Sequence, residues 1–173
     1  MLMSEATRER IVAAAAKDQR WSADKVRLVP KSELDRAGCS FYAAVPEDRA
    51  VPVPGYFGLL PDGRVAGIDL RGDDAAAVLL HTCGKEAPAD WWATVVARFS
   101  SSIGGAVLTA DGNPYGIRRV RERGAEFAPP AVSRNGAAAE LRFFTYDAEL
   151  KVPYQVRAEL SAEGRLKVDA KAL

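Results

Sequence analysis

The sequence predicts an α+β fold with antiparallel sheets, an N-terminal helix, a central helix pair and a C-terminal antiparallel meander. Two observations support this class. Apolar and polar residues alternate on both sides of a Ser-Ala-Glu-Gly turn near the C-terminus, which is typical of an antiparallel hairpin. The predicted strands also do not alternate regularly with helices, as the strands of a parallel α/β sheet would.

The chain begins with a predicted helix. Ser4 is a suitable N-cap, because its side-chain oxygen can accept a backbone N–H of the first turn. The helix is expected to run to about residues 17–20, with Ile11, Ala14 and Ala15 on one apolar face. These side chains are small, which suits close packing on a sheet. Three segments after this helix are predicted to be two short strands and an irregular proline-rich loop or sheet edge, at 26–29, 39–45 and 46–54.

A hairpin is predicted over 55–68, around the turn Pro61-Asp62-Gly63. This triplet suits a type I turn followed by a glycine in the left-handed region. The same register places an aromatic ring over a strand glycine, which covers the backbone that glycine leaves bare. The expected cross-strand pairs are Leu60 with Arg64, Leu59 with Val65, Phe57 with Gly67 and Tyr56 with Ile68.

Two helices are predicted in the middle of the chain. Asp73 is expected to cap the first over 74–83, which Gly84 ends. Pro88 suits the first turn of the second. The inward stripe of this second helix is formed by Trp92, Val95, Val96 and Phe99. Three further segments are predicted to be a strand, a charged short helix or extended rim, and a loop, at 103–109, 117–123 and 127–136.

The C-terminal meander carries the clearest pattern. A bulged turn with Gly164 in the left-handed region pairs Ser161 with Arg165. This register brings opposite charges across from one another on one face and apolar residues together on the other, which supports it. The resulting pairs are Leu160 with Leu166, Ala158 with Val168, Glu159 with Lys167 and Arg157 with Asp169. A third antiparallel strand is expected over 141–146.

Length and charge limit the functional classes. With 173 residues, we expect one domain over 1–173, with a sub-boundary near 69–73. The formal net charge is +1, so no global field attracts nucleic acid or a membrane, and neither is expected as a partner. No apolar run of membrane-spanning length or signal peptide is recognised. These features predict a cytoplasmic protein, or a periplasmic one if a signal peptide has been removed.

Catalytic and metal-binding groups are sparse. Cys39 with His81, and a polar residue such as Asn113, would suit a cysteine hydrolase, but no local signature supports this. The trio His81-Thr82-Cys83 lacks the paired spacing of a zinc site. We therefore expect no catalytic residue, no metal and no cofactor. In a reducing cytosol the two cysteines, Cys39 and Cys83, are expected to be buried thiols; in an exported protein they would form a disulfide.

Surface residues offer a different kind of site. Four arginines lie within the segment 117–123, and arginine recognises carboxylates well. Trp91 lies at the edge of its helix's inward stripe, where it either anchors an interface or packs under the proline-rich loop. The predicted partner-binding residues are Trp91, Tyr115, Arg118, Arg119, Arg121 and Arg123.

These features predict a binding protein without enzymatic activity. Over about the first seventy residues, a helix before antiparallel strands with a Pro-Asp-Gly hairpin is similar to cystatin-like and NTF2-like sheets. Many small bacterial immunity and inhibitor proteins have such an architecture. We expect a protein partner, such as a toxin or an enzyme with an acidic surface. The alternatives are the hydrolase above and a small-molecule carrier with an apolar pocket lined by Phe57, Phe99, Phe143 and Tyr154.

Overall fold

The computed structural model describes residues 3–48 and 53–173. These residues form four α-helices and nine strands, all of whose strand pairs are antiparallel, which confirms the predicted α+β class. The chain divides into two units, Met1–Arg71 and Gly72–Leu173, at a boundary within the predicted interval 69–73. In the described ranges, no helix combines the length and apolarity that a membrane crossing requires.

The first unit is one helix and a four-stranded sheet in the order β1-β2-β3-β4. Its elements are α1 (Glu5–Gln19), β1 (Val26–Pro30), β2 (Ser40–Pro46), β3 (Gly55–Leu59) and β4 (Val65–Ala66). Ser4 caps α1 as predicted, because its Oγ accepts the N–H of Thr7 at 3.1 Å. Ile11 and Ala15 are buried in a core with strand residues such as Phe57. Part of the predicted proline-rich loop, residues 49–52, lies outside the described residues.

The hairpin of the first unit has the predicted turn but a shorter ladder. Leu59 lies opposite Val65, and an added Cβ at Gly67 would lie 2.9 Å from the ring of Phe57, so the aromatic ring covers this glycine. The predicted pairing of Tyr56 with Ile68 is wrong, because β4 ends at Ala66 and the N–H of Ile68 turns back to the carbonyl of Val65. The chain therefore leaves the sheet two residues earlier than the alternation suggests.

The second unit contains three helices and a five-stranded sheet. Its helices are α2 (Gly72–Cys83), α3 (Ala89–Phe99) and α4 (Pro114–Glu122). Its strands are β5 (Ala106–Val107), β6 (Ala131–Asn135), β7 (Ala138–Asp147), β8 (Val152–Leu160) and β9 (Leu166–Ala172). The sheet order is β5-β7-β8-β9, and β6 also pairs with β7.

The meander of the second unit has the predicted register. Ser161 donates its N–H to the carbonyl of Arg165, and Gly164 has φ +76°. The confirmed pairs include Leu160 with Leu166, Ala158 with Val168, Glu159 with Lys167 and Arg157 with Asp169. One sheet face is apolar and buried, and it contributes Leu141, Phe143, Val156, Ala158 and Leu160 to the core. Arg134 lies on this face and contacts Trp92 of α3, so α3 covers this face of the sheet.

Three local predictions for the second unit are wrong. Asp73 does not precede its helix as a cap but lies in the first turn, where its carboxylate accepts the hydroxyl of Ser100 at 2.6 Å. The predicted strand 103–109 is reduced to β5, because Gly105 has φ +80°. The predicted loop 127–136 contains β6, which forms by pairing with the long strand β7 rather than through an apolar pattern of its own.

Candidate protein-binding surface

The predicted arginine segment is a helix, α4, held against the sheet by small and apolar residues. Asn113 has φ +48° and its Oδ1 accepts the N–H of Gly116 at 2.9 Å, which caps the helix. Gly116 and Val120 are buried against a cluster that includes Leu108 and Tyr146. A Cβ at Gly116 would lie 2.8 Å from Leu108, so glycine allows the helix to approach closely. Arg118 and Arg121 are exposed on the other side of α4, and Arg123 is exposed at its end, whereas the side chain of Arg119 is only 27% exposed.

The arginines of α4 differ in how they are neutralised. Glu122 accepts the Nη1–H of Arg119 at 2.6 Å, and its other oxygen lies 3.6 Å from Nε of Arg118. Arg121 and Arg123 are exposed, and within the described chain neither makes an ion pair. Glu122 thus pairs with both Arg118 and Arg119, whereas the guanidinium groups of Arg121 and Arg123 are available for contacts with a partner.

Two tyrosines support the arginine helix. Tyr115 is 46% exposed, and its ring packs edge-to-face on Tyr146 at 5.6 Å between centroids. The guanidinium of Arg118 lies 5.0 Å from the centre of the Tyr115 ring, a cation–π distance. Burial raises the pKa of Tyr146, and the neighbouring Tyr115 raises it further. An exposed aromatic ring with an arginine stacked on it is a common feature of protein interfaces.

A charged sheet face lies on the same side of the sheet as α4. It consists of the residues of β7–β9 that point away from the buried apolar face: Glu140, Arg142, Gln155, Arg157, Glu159, Lys167, Asp169 and Lys171. Glu140 accepts hydrogen bonds from both Arg142 and Arg157, and Arg157 also forms an ion pair with Glu159 at 2.8 Å. A shallow depression of about 620 Å³ lies on this face. Four residues of this face, Glu140, Arg142, Arg157 and Glu159, therefore form a network of ion pairs.

The network differs from the pairs that the register suggests. Arg157 and Asp169 are opposite one another, yet Arg157 donates a hydrogen bond to Glu140 and forms an ion pair with Glu159. Glu140 was missed because the predicted strand began at Leu141. The hydrogen bonds from Arg157 and Arg142 lower the pKa of Glu140, and the same pairing raises the pKa of Arg157.

Replacing Glu140 by glutamine is expected to destabilise the protein near neutral pH and to have less effect in acid. The pKa of Glu140 is lowered below its ordinary value of 4.5, so its contribution to stability is present above that pH and is lost as the pH falls through the folded-state pKa. Glu140→Gln should lower the urea midpoint near neutral pH, and the difference from wild type should shrink well below pH 4.5. Glu126→Gln, at an exposed carboxylate with no ion pair in the described chain, is the control. A pH-independent difference would contradict this prediction.

Trp91 does not offer the exposed ring that its interface interpretation requires. It is buried, with 4% exposure, like its neighbour Trp92. These adjacent residues point to different sides of α3 and both are buried, so the inward stripe predicted from the sequence includes too few residues. The other predicted surface residues, Tyr115 and the four arginines, lie together on or beside α4.

The residues considered for catalysis have other roles in the structure. Cys39 and Cys83 are buried as predicted, but the prediction that they are thiols is wrong, because both are disulfide-bonded. A disulfide-bonded Cys39 has no thiolate with which to attack a substrate. Asn113 is occupied as a helix cap, and His81 is exposed near the end of α2. Among the described residues, no group of His, Cys, Asp or Glu is arranged to hold a metal ion.

The residues considered for an apolar ligand pocket are mostly core. Phe57 and Phe143 are 5% and 1% exposed, and Phe99 is 8% exposed. Phe57 contacts Gly67 within the first unit, and Phe143 lies within the sheet of the second. Two cavities with several apolar lining residues lie elsewhere, at one end of the C-terminal sheet.

The chain matches no protein-family model, and no curated protein or solved structure is significantly similar to it.

Proposed function

We propose that this chain is a protein-binding module without enzymatic activity, of the inhibitor or immunity type, which neutralises a partner by direct contact. The main support is the surface formed by α4: Arg121 and Arg123 are exposed without an ion pair in the described chain, and Tyr115 at the start of the same helix is half exposed. Arginine forks bind carboxylates in two-pronged geometry, so an acidic protein surface is the complementary partner.

The charged sheet face extends this surface. Four of its side chains, Glu140, Arg142, Arg157 and Glu159, hold one another through ion pairs, which leaves these side chains fewer rotamers to lose when a partner binds. A pre-ordered surface favours specificity through charge matching, because a wrong partner places like charges together. We infer that α4 makes the main contacts and that the charged sheet face selects the partner.

Site-specific photo-crosslinking tests this proposal. A benzoylphenylalanine at Tyr115 on α4 should capture one acidic protein in cells, and the same probe at Ala13 on the exposed side of α1 should not. The double variant Arg121→Glu/Arg123→Glu should lose most of the adduct and weaken binding of the purified partner roughly tenfold or more, because like charges then face each other.

A charge-matched control separates the site from net charge. Lys17→Glu/Arg20→Glu changes the net charge by the same amount at exposed positions at the end of α1. It should leave both the adduct and the affinity unchanged. Equal losses in the two double variants, or identical adducts from the two probe positions, would contradict the proposal.

The state of the cysteines supports the periplasmic alternative for the compartment. Disulfides persist in oxidising compartments and are rare in the cytosol. Both Cys39 and Cys83 are disulfide-bonded. Thiol titration of the unfolded chain should detect no thiol before reduction and both cysteines after it. Two reactive thiols without reduction would instead favour the cytosol and would reopen the hydrolase alternative.

A further inference from the structure

A hollow of about 360 Å³ lies at one end of the second unit's sheet, on the face covered by α3. Its apolar lining includes Leu80, Trp92 and Leu160, and its basic lining includes His81, Lys85 and Arg134. This volume is at the small end of the range for ligand pockets, about 300–1,000 Å³. It lies on the opposite sheet face from the surface proposed above, because Arg134 pairs with Ala139 and Arg142 points the other way.

Arg134 is held in place at the edge of the hollow. Its guanidinium lies 5.3 Å from the centre of the Trp92 ring and donates one Nη2 hydrogen bond to the carbonyl of Ala87. The Trp92 indole in turn donates to the carbonyl of Gly84 at 2.9 Å. These contacts satisfy nearby backbone acceptors and hold the Arg134 guanidinium and the Trp92 indole in place. A guanidinium has five N–H donors, so most of those of Arg134 remain for a ligand.

The charge of the hollow has one sign. Lys85 and Arg134 are exposed cations, and within the described chain neither makes an ion pair. None of the described residues that line the hollow is acidic. The apolar floor excludes a highly hydrated ion such as free phosphate, whereas the two cations favour a negative group at the rim. The combination suits a molecule with an apolar body and one anionic end.

We propose that this hollow binds a small carboxylate with an aromatic or branched aliphatic body. The carboxylate accepts hydrogen bonds from Arg134 and forms an ion pair with Lys85, and the body packs on apolar lining residues such as Ala138, Ala139 and Leu160. This binding activity is additional to the proposed protein-binding function. It also places a ligand site at residues other than those predicted from the sequence, which were Phe57, Phe99, Phe143 and Tyr154.

The test uses 4-phenylbutyrate and its neutral amide as matched probes. In ¹H–¹⁵N NMR titrations, 4-phenylbutyrate should shift the Trp92 indole N–H and the amides of 136–139, and the amide should bind roughly tenfold more weakly or worse. Arg134→Gln, which keeps side-chain length and removes the charge, should weaken 4-phenylbutyrate binding by about the same factor. Lys85→Gln, at an exposed position outside any helix, gives a second variant that does not depend on the Trp92 contact.

Arg142→Gln is the matched control, because it removes an arginine from the adjacent strand on the opposite sheet face. It should leave the affinity for 4-phenylbutyrate unchanged. The proposal is overturned if 4-phenylbutyrate shifts no resonance of the hollow, if the neutral amide binds equally well, or if Lys85→Gln and Arg142→Gln have the same effect. Because the partner surface is not involved, each of these results would leave the proposed protein-binding function standing.

Discussion

Replacing Gly105 by alanine is expected to destabilise the protein by roughly 3 kcal/mol or more, the sum of overpacking and left-handed backbone strain. Gly105 has φ +80°, and an added Cβ would lie 2.3 Å from the carbonyl of Tyr146, a backbone group that cannot rotate away. Either β5 or β7 must shift to relieve the contact. Urea unfolding followed by circular dichroism measures the effect.

Gly124→Ala is the matched control for this prediction. Gly124 also has φ +80°, but an added Cβ would meet nothing within 4 Å. It should cost only the backbone strain, about 1–2 kcal/mol. The difference between the two variants measures the close approach of the chain to β7. Equal destabilisation would show that strand contact contributes nothing at Gly105.

The close approach of Gly105 to Tyr146 also supports the position of α4, which carries the proposed binding surface. Beside Gly105, the hydroxyl of Thr145 donates to the carbonyl of Gly104 at 2.8 Å, and the N–H of Leu108 donates to the carbonyl of Phe144. These bonds hold β5 on β7, and Leu108 packs against α4. A Gly105→Ala protein that still folds should therefore also give less crosslinking from Tyr115.

Replacing Phe143 by alanine is expected to cost about 3–5 kcal/mol, the usual range for removing a buried phenylalanine. Phe143 is 1% exposed and lies opposite Val156 in the centre of the meander. Removing its ring leaves a cavity that its neighbours in β7 and β8 fill only in part. The measurement is again the free energy of unfolding in urea.

Tyr115→Ala provides the comparison for an exposed ring. Tyr115 is 46% exposed and loses mainly its edge contact with Tyr146, so about 1 kcal/mol is expected. Its effect should instead be on partner binding. A cost at Phe143 no greater than that at Tyr115 would mean that the meander is not the core of the second unit.

The sequence was sufficient to predict those local structures that residues close together in the chain determine. The cap at Ser4 and the turn at Gly164 are set by residues within a few positions of each other. The register of the last hairpin followed from the same turn, since a one-residue slip would move every apolar side chain of one strand to the charged face of the other. The conformation of the arginine segment 117–123 was left open between a short helix and an extended rim, because its residues do not strongly favour either conformation.

Contacts between distant segments required the tertiary structure. β6 exists because β7 offers it a partner, and Glu140 joins the ion-pair network because β8 brings Arg157 beside it. Trp91 is buried although the helical pattern placed it at an edge.

The sequence by itself determined the α+β class, the Ser4 cap of the first helix, the C-terminal register and the location of the arginine cluster. Only the tertiary structure decided which charges pair, which aromatic residues are core and where a basic apolar hollow lies. The physical reason is range: turns, caps and alternation act over a few residues, whereas burial and ion pairing depend on which segments the fold brings together.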